Sequence, residues 1–588
     1  MKLELKFLCT RSGKSLFLKI EDKTYAFNIF EGFQRYCIEK KQSLCSISAM
    51  FLTNKFNVPP LMATYLSLLD SNWKSVDVIS NFDVNFRSIH KFAYSSERSP
   101  VFKNSYSDQY ISVKIIDNDS GMSDFIISFT KIRGKFYPER LPPNIPKNLF
   151  KNLISDGTLT YENQVFNFCD CSDPDFYLND VCLVFRDSNF EKLPTNIKCF
   201  FCFNLPAYKY LTKQYPELNI SLNNSLDNFN GIYLISDNTE IEHEDFYDYQ
   251  LSLHEKDTRF NIPYSFRPNE IELNESCSLK TGDFFVYEKS NRLLLNRSIM
   301  KIPDPHEIEP LKFPSIQFLG TGCAMPSKYR NVSSILYQNI NSAIILDCGE
   351  DTLSQMERMF GNLEILKKLK IIYISHSHAD HMLGIAKIVE KCPNKLIIIG
   401  PDFIKEFLNY FGFSDNESND ISCLKKYTFI SSTPIKLKGN EYYTNPEYYI
   451  NSLDQFIETI NHEEFIFRLC ACQHSKSSIS VSISDKSNDI KFSYSGDTLP
   501  SNLFAYISSH HDAMIHEATF EKGNEERAAI TEHSVYYEAV EIYRKSKSKQ
   551  LLLTHFSNRN QNELTDSIEP DVQSVGDFFN YTFDEQQA

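Results

Sequence analysis

What this chain lacks narrows it quickly. There is no excess of positive charge: 61 Lys and Arg stand against 76 Asp and Glu, a net charge of −15. Proteins grip nucleic acid by neutralising phosphates with Lys and Arg, so any such surface here has to be local. No run of 18 apolar residues occurs, which leaves no candidate for a membrane-spanning helix. The opening MKLELKFLCTRSGKSLFLKI has neither the apolar core of a secretory signal nor an Arg-rich amphipathic presequence, and reads at once as alternating strand. The expectation is an intracellular protein without a membrane partner, in the nucleus or cytoplasm ahead of the mitochondrion. Cys199-Phe-Phe-Cys202 has no second pair to complete a structural zinc site, so the scattered cysteines read as buried, reduced core thiols. Gly320-Thr321-Gly322 lacks the Gly-Lys-Ser/Thr of a P-loop and the third glycine of a dinucleotide fingerprint. Its glycines read as a tight turn, and no dinucleotide cofactor is expected. Histidine is scarce as well: 14 in all, and one, His90, in the first 240 residues.

At 588 residues the chain is too long for one ordinary core. Residues 1–255 are apolar and strand-rich. Residues 256–312 carry Pro263, Pro268, Pro303, Pro305 and Pro310 and read as an inter-domain linker. From Phe313 to about 560, short apolar runs alternate with helical stretches, the texture of layered α/β architecture. Strands are expected at 316–319, 343–346, 369–374, 396–399, 479–483, 490–494, 513–515 and 551–553, and one helix from about His381 to Lys391. Residues 561–588 read as a polar, frayed tail.

The chemistry concentrates at His376-Ser377-His378-Ala379-Asp380-His381, which follows the buried strand LKIIYI and opens a helix. Three of the scarce histidines and an aspartate in six residues form a dense set of imidazole and carboxylate donors, suited to zinc and related metals. Further ligands are expected at later strand ends: His474 in Cys472-Gln-His-Ser475, Asp497 in Ser495-Gly-Asp-Thr498, and His555 in Thr554-His-Phe-Ser557. Each alone is a weak signal; their order behind HxHxDH gives them weight.

This pattern resembles the metallo-β-lactamase superfamily. Four further stretches resemble one branch of it, tRNase Z: the opening FLGTGCAMPSKYRNVSS at 318–334 with a PxKxRN loop, Asp347-Cys-Gly-Glu350, His516-Glu-Ala-Thr519, and His533-Ser534. The resemblance implies an αββα sandwich with two Zn²⁺ ions. His376, His378 and His474 would hold one, Asp380, His381 and His555 the other, and Asp497 would bridge them. It further implies a zinc-dependent endoribonuclease that removes the 3′ trailer of precursor tRNA after the discriminator nucleotide. That cut leaves a tRNA 3′-OH and a trailer 5′-phosphate. Asp380, Glu517 and His533 would be catalytic, and Pro326, Lys328, Arg330 and Asn331 would meet substrate. Two departures stand out: CGEGT reads Cys348-Gly-Glu-Asp351-Thr352, and HST reads His533-Ser-Val535.

The first half echoes the second. Phe27-Asn28-Ile-Phe-Glu31-Gly32 resembles the FDCGEG turn with Asp and Cys replaced, and Phe51-Leu-Thr-Asn54-Lys55 stands where a second HxHxDH is expected but has no His. The resemblance is to the long form of tRNase Z: tandem metallo-β-lactamase-like αββα domains, the N-terminal one degenerate. A basic segment, with Lys131, Arg133, Lys135 and Arg140 among Phe and Tyr, matches the position of that family's tRNA-binding arm, expected over about 130–155. The arm's usual Gly-Pro is absent; Pro146-Lys147 stands there. Two fused domains standing in for a dimer imply a monomer.

Overall fold

The computed structural model describes residues 3–9, 13–39, 42–70, 76–82, 101–117, 121–130, 136–172, 177–186, 190, 193–194, 196–218, 225–226, 230–235, 278–279, 284–288, 292–296, 312–327, 329–360, 362–414, 425–432, 453–558 and 569–583. They form two sandwiches. In the first, a nine-stranded sheet centred on Leu3–Cys9, Lys14–Ile20, Lys23–Phe27 and Ile47–Phe51 faces a seven-stranded sheet containing Ile111–Asp117, Ser123–Phe129, Val181–Val184 and Cys199–Cys202. Leu5, Leu16, Phe27 and Phe51 meet Phe125, Leu183 and Phe201 between them. Cys182, Cys199 and Cys202 lie in these buried strands, as expected of core thiols, but Cys45 and Cys169 are exposed, so the expectation fails for those two. In the second sandwich, two seven-stranded sheets close over Ile316, Tyr337, Leu346, Phe467, Val481 and Ile515. Helices cover the outer faces in both, giving the expected αββα layering.

The echo in sequence is an echo in register. Strand Lys23–Phe27 pairs antiparallel with Lys14–Ile20 and parallel with Ile47–Phe51, with an irregularity at Thr24/Tyr25. Strand Ala343–Cys348 pairs antiparallel with Ser334–Gln338 and parallel with Leu369–Tyr373, with an irregularity at Ala343/Ile344. Asn28 therefore corresponds to Asp347, Glu31 to Glu350 and Gly32 to Asp351.

The two halves share one apolar layer. Phe33, Tyr36, Leu61 and Leu68, from helices Phe33–Glu39 and Val58–Asp70, lie in the same cluster as Met356, Met382, Leu383, Ile385 and Phe411. The polar seam beside it is reciprocal. Gly32 N donates to Glu350 Oε1 at 3.0 Å, and Asp351 N donates to Glu31 Oε1 at 2.9 Å. Both carboxyl groups are buried.

Three expectations are corrected. Residues 256–312 are not merely a linker: strands Ser278–Leu279, Phe284–Glu288 and Arg292–Asn296 complete the first sandwich, the last two as a hairpin beside Leu3–Cys9. The tail is not frayed throughout. Val572–Ser574 extends one sheet of the second sandwich and Asn580–Thr582 the other, and buried Asp577 between them accepts from Thr321 N at 3.0 Å and Asn331 N at 2.6 Å. Its apolar residues are interspersed with polar ones, yet Val572, Val575, Phe578, Phe579 and Phe583 are buried and help to dock it. The helix expected from His381 to Lys391 is two, Ala379–Met382 and Ile385–Lys391, parted at Gly384. There the Gly384 N–H leaves the helical ladder for Cys348 O at 2.9 Å, and a side chain would strike Gly349 O.

Two predictions follow from the seam. Burial pushes the Glu31 carboxyl up to about 8; Asp351 adds to the shift, Lys387 opposes it and Glu390 adds to it. The same cause raises Glu350. A carboxyl that holds its proton more tightly when folded lends stability below its unfolded value, lost as pH climbs from about 4.5 through about 8. Thermal melts across that window will show falling midpoints, and Glu31→Gln will flatten the slope. Gly32 has φ +87°, and a Cβ there would lie 2.6 Å from the Asp351 carboxyl carbon. Gly32→Ala will destabilise by about 1–3 kcal/mol in denaturant titration, and adding Asp351→Gly will recover part of the loss.

Candidate metal centre

The strand ends of the second sandwich bring the expected donors to one place. His376 follows strand Leu369–Tyr373, Asp497 follows Ile490–Tyr494 and His555 follows Leu551–Thr554, so the parallel strands of both sheets end at the same rim. Donor atoms of His376, His378, His474 and Asp497 lie within 4.8 Å of one another, as do those of His381, Asp497 and His555. Asp497 belongs to both sets. Its Oδ2 is 3.7 Å from His376 Nε2, 3.7 Å from His474 Nε2 and 3.2 Å from His381 Nε2, while its Oδ1 is 3.3 Å from His555 Nε2. Asp380 Oδ2 stands 3.6 Å from His381 Nε2 and 3.5 Å from His555 Nε2. All seven residues singled out as ligands therefore converge.

The donor set fits a cation. Nε2 of His376 is fully buried with no hydrogen-bond partner, a cost tolerated where a ligand satisfies it. Burial, then the neighbouring His381 and His378, holds His376 well below the ordinary histidine value. His378, exposed at the rim, is pushed down to about 4 by desolvation among the surrounding groups. Both are then neutral imidazoles, the form that binds metal. At His381 burial also acts downward, but Asp497, Asp380 and Asp347 outweigh it and raise the group. A proton held there answers the same negative field that attracts a cation.

The supports around the ligands include residues that the sequence reading quoted only as motif letters. Asp347 (φ 57°) is fully buried. It accepts from Ser375 N and Oγ at 2.7 Å each, from Tyr494 Oη at 2.7 Å, and from His381 Nδ1 at 2.7 Å. It thus fixes which His381 nitrogen faces the centre. Thr519 Oγ1 bonds Glu517 Oε2 at 2.6 Å and lies 2.9 Å from His555 Nδ1. Glu532 O accepts from His474 Nδ1 at 2.9 Å. Cys323, also unremarked in the sequence, joins Asp380 and His555. Burial and the Asp380, Asp497 and Glu517 charges keep it a thiol.

The expected Glu517–His533 pair is present at 3.0 Å. Glu517 has no exposed surface and also accepts from Thr498 N at 2.7 Å, so it acts through its neighbours, His533 directly and His555 by way of Thr519. At His533 burial is outweighed by the Glu517 charge, which lifts the imidazole to about 9.

The substrate-contact expectations fare unevenly. Arg330 is tied inward: its guanidinium donates to Thr321 Oγ1 at 2.7 Å and Val575 O at 2.8 Å and lies 4.6 Å over the Phe556 ring. Asn331 is buried, donating from Nδ2 to Glu350 O at 2.8 Å. Pro326 is buried too. Arg330 and Asn331 brace the loop, their polar groups bonded to the docked 572–582 segment and the Glu350 turn. Lys328, Lys131, Arg133 and Lys135 lie outside the described residues. Arg140 is exposed, donates to Ser172 O at 3.1 Å and stacks 4.3 Å over Tyr137. Its segment does not end at 155. A small module runs on through helix Phe150–Asp156 and the hairpin Thr158–Tyr161/Gln164–Asn167 to Ser172, around Leu141, Leu153, Leu159 and Phe168.

Comparison with known proteins adds to this geometry. A family model described as tRNase Z endonuclease matches residues 10–65, and one described as anti-Pycsar protein Apyc1 matches 314–395. Ribonuclease Z 1 of Schizosaccharomyces pombe is 35% identical over 262 residues, 41% of this chain and 31% of that protein. Mitochondrial ribonuclease Z of Drosophila melanogaster is 31% identical over 261 residues, covering 42% and 32%. Zinc phosphodiesterase ELAC protein 2 of Homo sapiens is 32% identical over 279 residues, covering 45% and 32%. The matches thus span about a third of the length of these relatives. A long-form RNase Z from yeast superposes with a TM-score of 0.68 at 19% identity, covering 99% of this chain and 98% of that one.

Asp347→Asn keeps the size but cannot accept from all its donors. It will weaken metal binding by roughly 10- to 100-fold, measured by competition with a zinc chelator, with the fold retained by circular dichroism. The chain has the tandem metallo-β-lactamase fold seen in a long-form RNase Z and is similar in sequence to ribonuclease Z proteins.

Proposed function

We propose that this protein is a zinc-dependent endoribonuclease that cuts precursor tRNA after the discriminator nucleotide, leaving a tRNA 3′-OH and a trailer 5′-phosphate. The observation that supports this most is the convergence of seven metal-type ligands with a buried Glu517–His533 pair at one rim. The names of the relatives, ribonuclease Z and zinc phosphodiesterase, agree with it.

His376, His378 and His474 would hold one zinc, and Asp380, His381 and His555 a second, with Asp497 between. When bound, such a pair supplies a water acidified to near neutral pH and neutralises phosphate charge. The chain's residues do the rest. Asp380, whose Oδ2 accepts from Ala324 N at 2.6 Å, is held in position to orient that water. His533 is partly exposed at the rim and charged at neutral pH through Glu517. It gives a proton to the departing 3′ oxygen, and Glu517 stabilises its charged form and holds its ring. The module at 136–172, with Arg140, and the basic residues preceding it would meet tRNA phosphates away from the centre. The protein would act as a monomer.

Incubation with a 3′-extended precursor tRNA, with the cut mapped to the nucleotide, tests the reading. A chelator-sensitive cut after the discriminator is expected; a protein that binds zinc yet leaves the precursor whole, while splitting small phosphodiesters, would sink it. His533→Ala will lower kcat by roughly 10²- to 10⁴-fold with KM little changed.

A further inference from the structure

The half of the chain without metal-type ligands among its described residues touches the turn that packs beneath the ligand loop. Glu31 lies at the turn after strand Lys23–Phe27, and its Oε1 accepts from Asp351 N at 2.9 Å. The same oxygen lies against Gly384, where an added Cβ would sit 3.1 Å away. Gly384 in turn is packed against Gly349: a Cβ on it would be 2.2 Å from Gly349 O, and one on Gly349 would be 2.4 Å from Asp380 O. Two glycines thus let three backbone segments stack without a gap, and the stack ends under Asp380 and His381.

We propose that Glu31 is a positioning residue for the catalytic loop of the other half, holding the 349–351 turn so that Asp380 and His381 keep their place. This rests on the metal-centre reading above. A shift of the turn would pass to Asp380 through backbone contact alone, because interiors packed this closely transmit displacement. The arrangement is one-sided in effect: the reciprocal Glu350 bond to Gly32 N steadies a turn that leads to no ligands. It gives the degenerate half a role distinct from any RNA contact.

The test uses the full chain with Glu31→Ala and Glu31→Gln. Gln keeps an oxygen that can accept from Asp351 N; Ala does not. The readouts are zinc affinity by chelator competition, amide exchange at 349–351 and 380–384, and kcat and KM on precursor tRNA. Glu31→Ala is expected to lose affinity for one of two zinc ions by on the order of 10-fold or more. It should exchange faster at both segments and lose kcat with KM unchanged, and Glu31→Gln should restore all three. If Glu31→Ala fails to fold, Glu31→Asp, which draws the oxygen back by one methylene, gives the same readouts. Unchanged zinc affinity and exchange in a folded variant would overturn the proposal. A wild-type protein that binds zinc but does not cut precursor tRNA would instead overturn the substrate reading, and the affinity and exchange readouts would still decide the role of Glu31.

Discussion

The carboxylate of Asp347 is what the candidate metal centre hangs from. It sits at the end of a buried strand, accepts from the first residue of the ligand loop, from the phenol of Tyr494 in the opposite sheet and from His381, and so ties both sheets and one ligand to a single point. Its counterpart in the first half is Asn28. Thr53 Oγ1, where the second half has Ser375, donates to Asn28 Oδ1 at 2.7 Å, and Asn57 Nδ2 donates to the same oxygen at 3.0 Å. The scaffold of the anchor therefore survives in both halves. What differs is charge: an amide in place of a carboxylate, and Asn in place of imidazole. A neutral network closes on itself through hydrogen bonds; an anionic one beside an orphaned imidazole nitrogen, His376 Nε2, calls for a cation.

The join between the halves explains why a half without ligands is built so fully. Its helices complete an apolar layer that the second sandwich leaves open, and Arg35 reaches across to within 3.8 Å of Asp577, the residue that holds Thr321 and Asn331. The Asp in CGEDT is accommodated at this same join. Asp351 adopts φ 69°, and its side chain occupies the space that Gly32, lacking a Cβ, leaves facing it. Two side chains would not fit there, so one turn carries glycine and the other need not.

The convergence of the seven donors is legible in the sequence because imidazoles and carboxylates gathered in this way leave a dense signature. HxHxDH after a buried strand, and single His or Asp residues at later strand ends, suffice when ligand geometry restricts residue type. The buried parallel strands were legible for the same reason that they are buried: continuous apolar runs such as LKIIYI. The supports were not. Asp347 and Thr519 work through hydrogen bonds to groups dozens of residues away, and nothing in their local sequence says so. Strand Asn580–Thr582 was read as tail because a short edge strand has little periodicity, and the hairpin at 284–296 was hidden among prolines. Arg330 and Asn331 are expected at the substrate from the resemblance to a PxKxRN loop; in the fold the Arg330 guanidinium bonds Thr321 Oγ1 and Val575 O and the Asn331 amide bonds Glu350 O, partners that no local pattern announces.

The account rests on two cations held at one rim and none at the other. Anomalous diffraction at the zinc edge from crystals grown with zinc tests it most directly. The expected result is two peaks flanking Asp497, one among His376, His378 and His474 and the other among Asp380, His381 and His555, with no peak near Asn28. A single peak, peaks ligated by other residues, or no peak at this rim would contradict it.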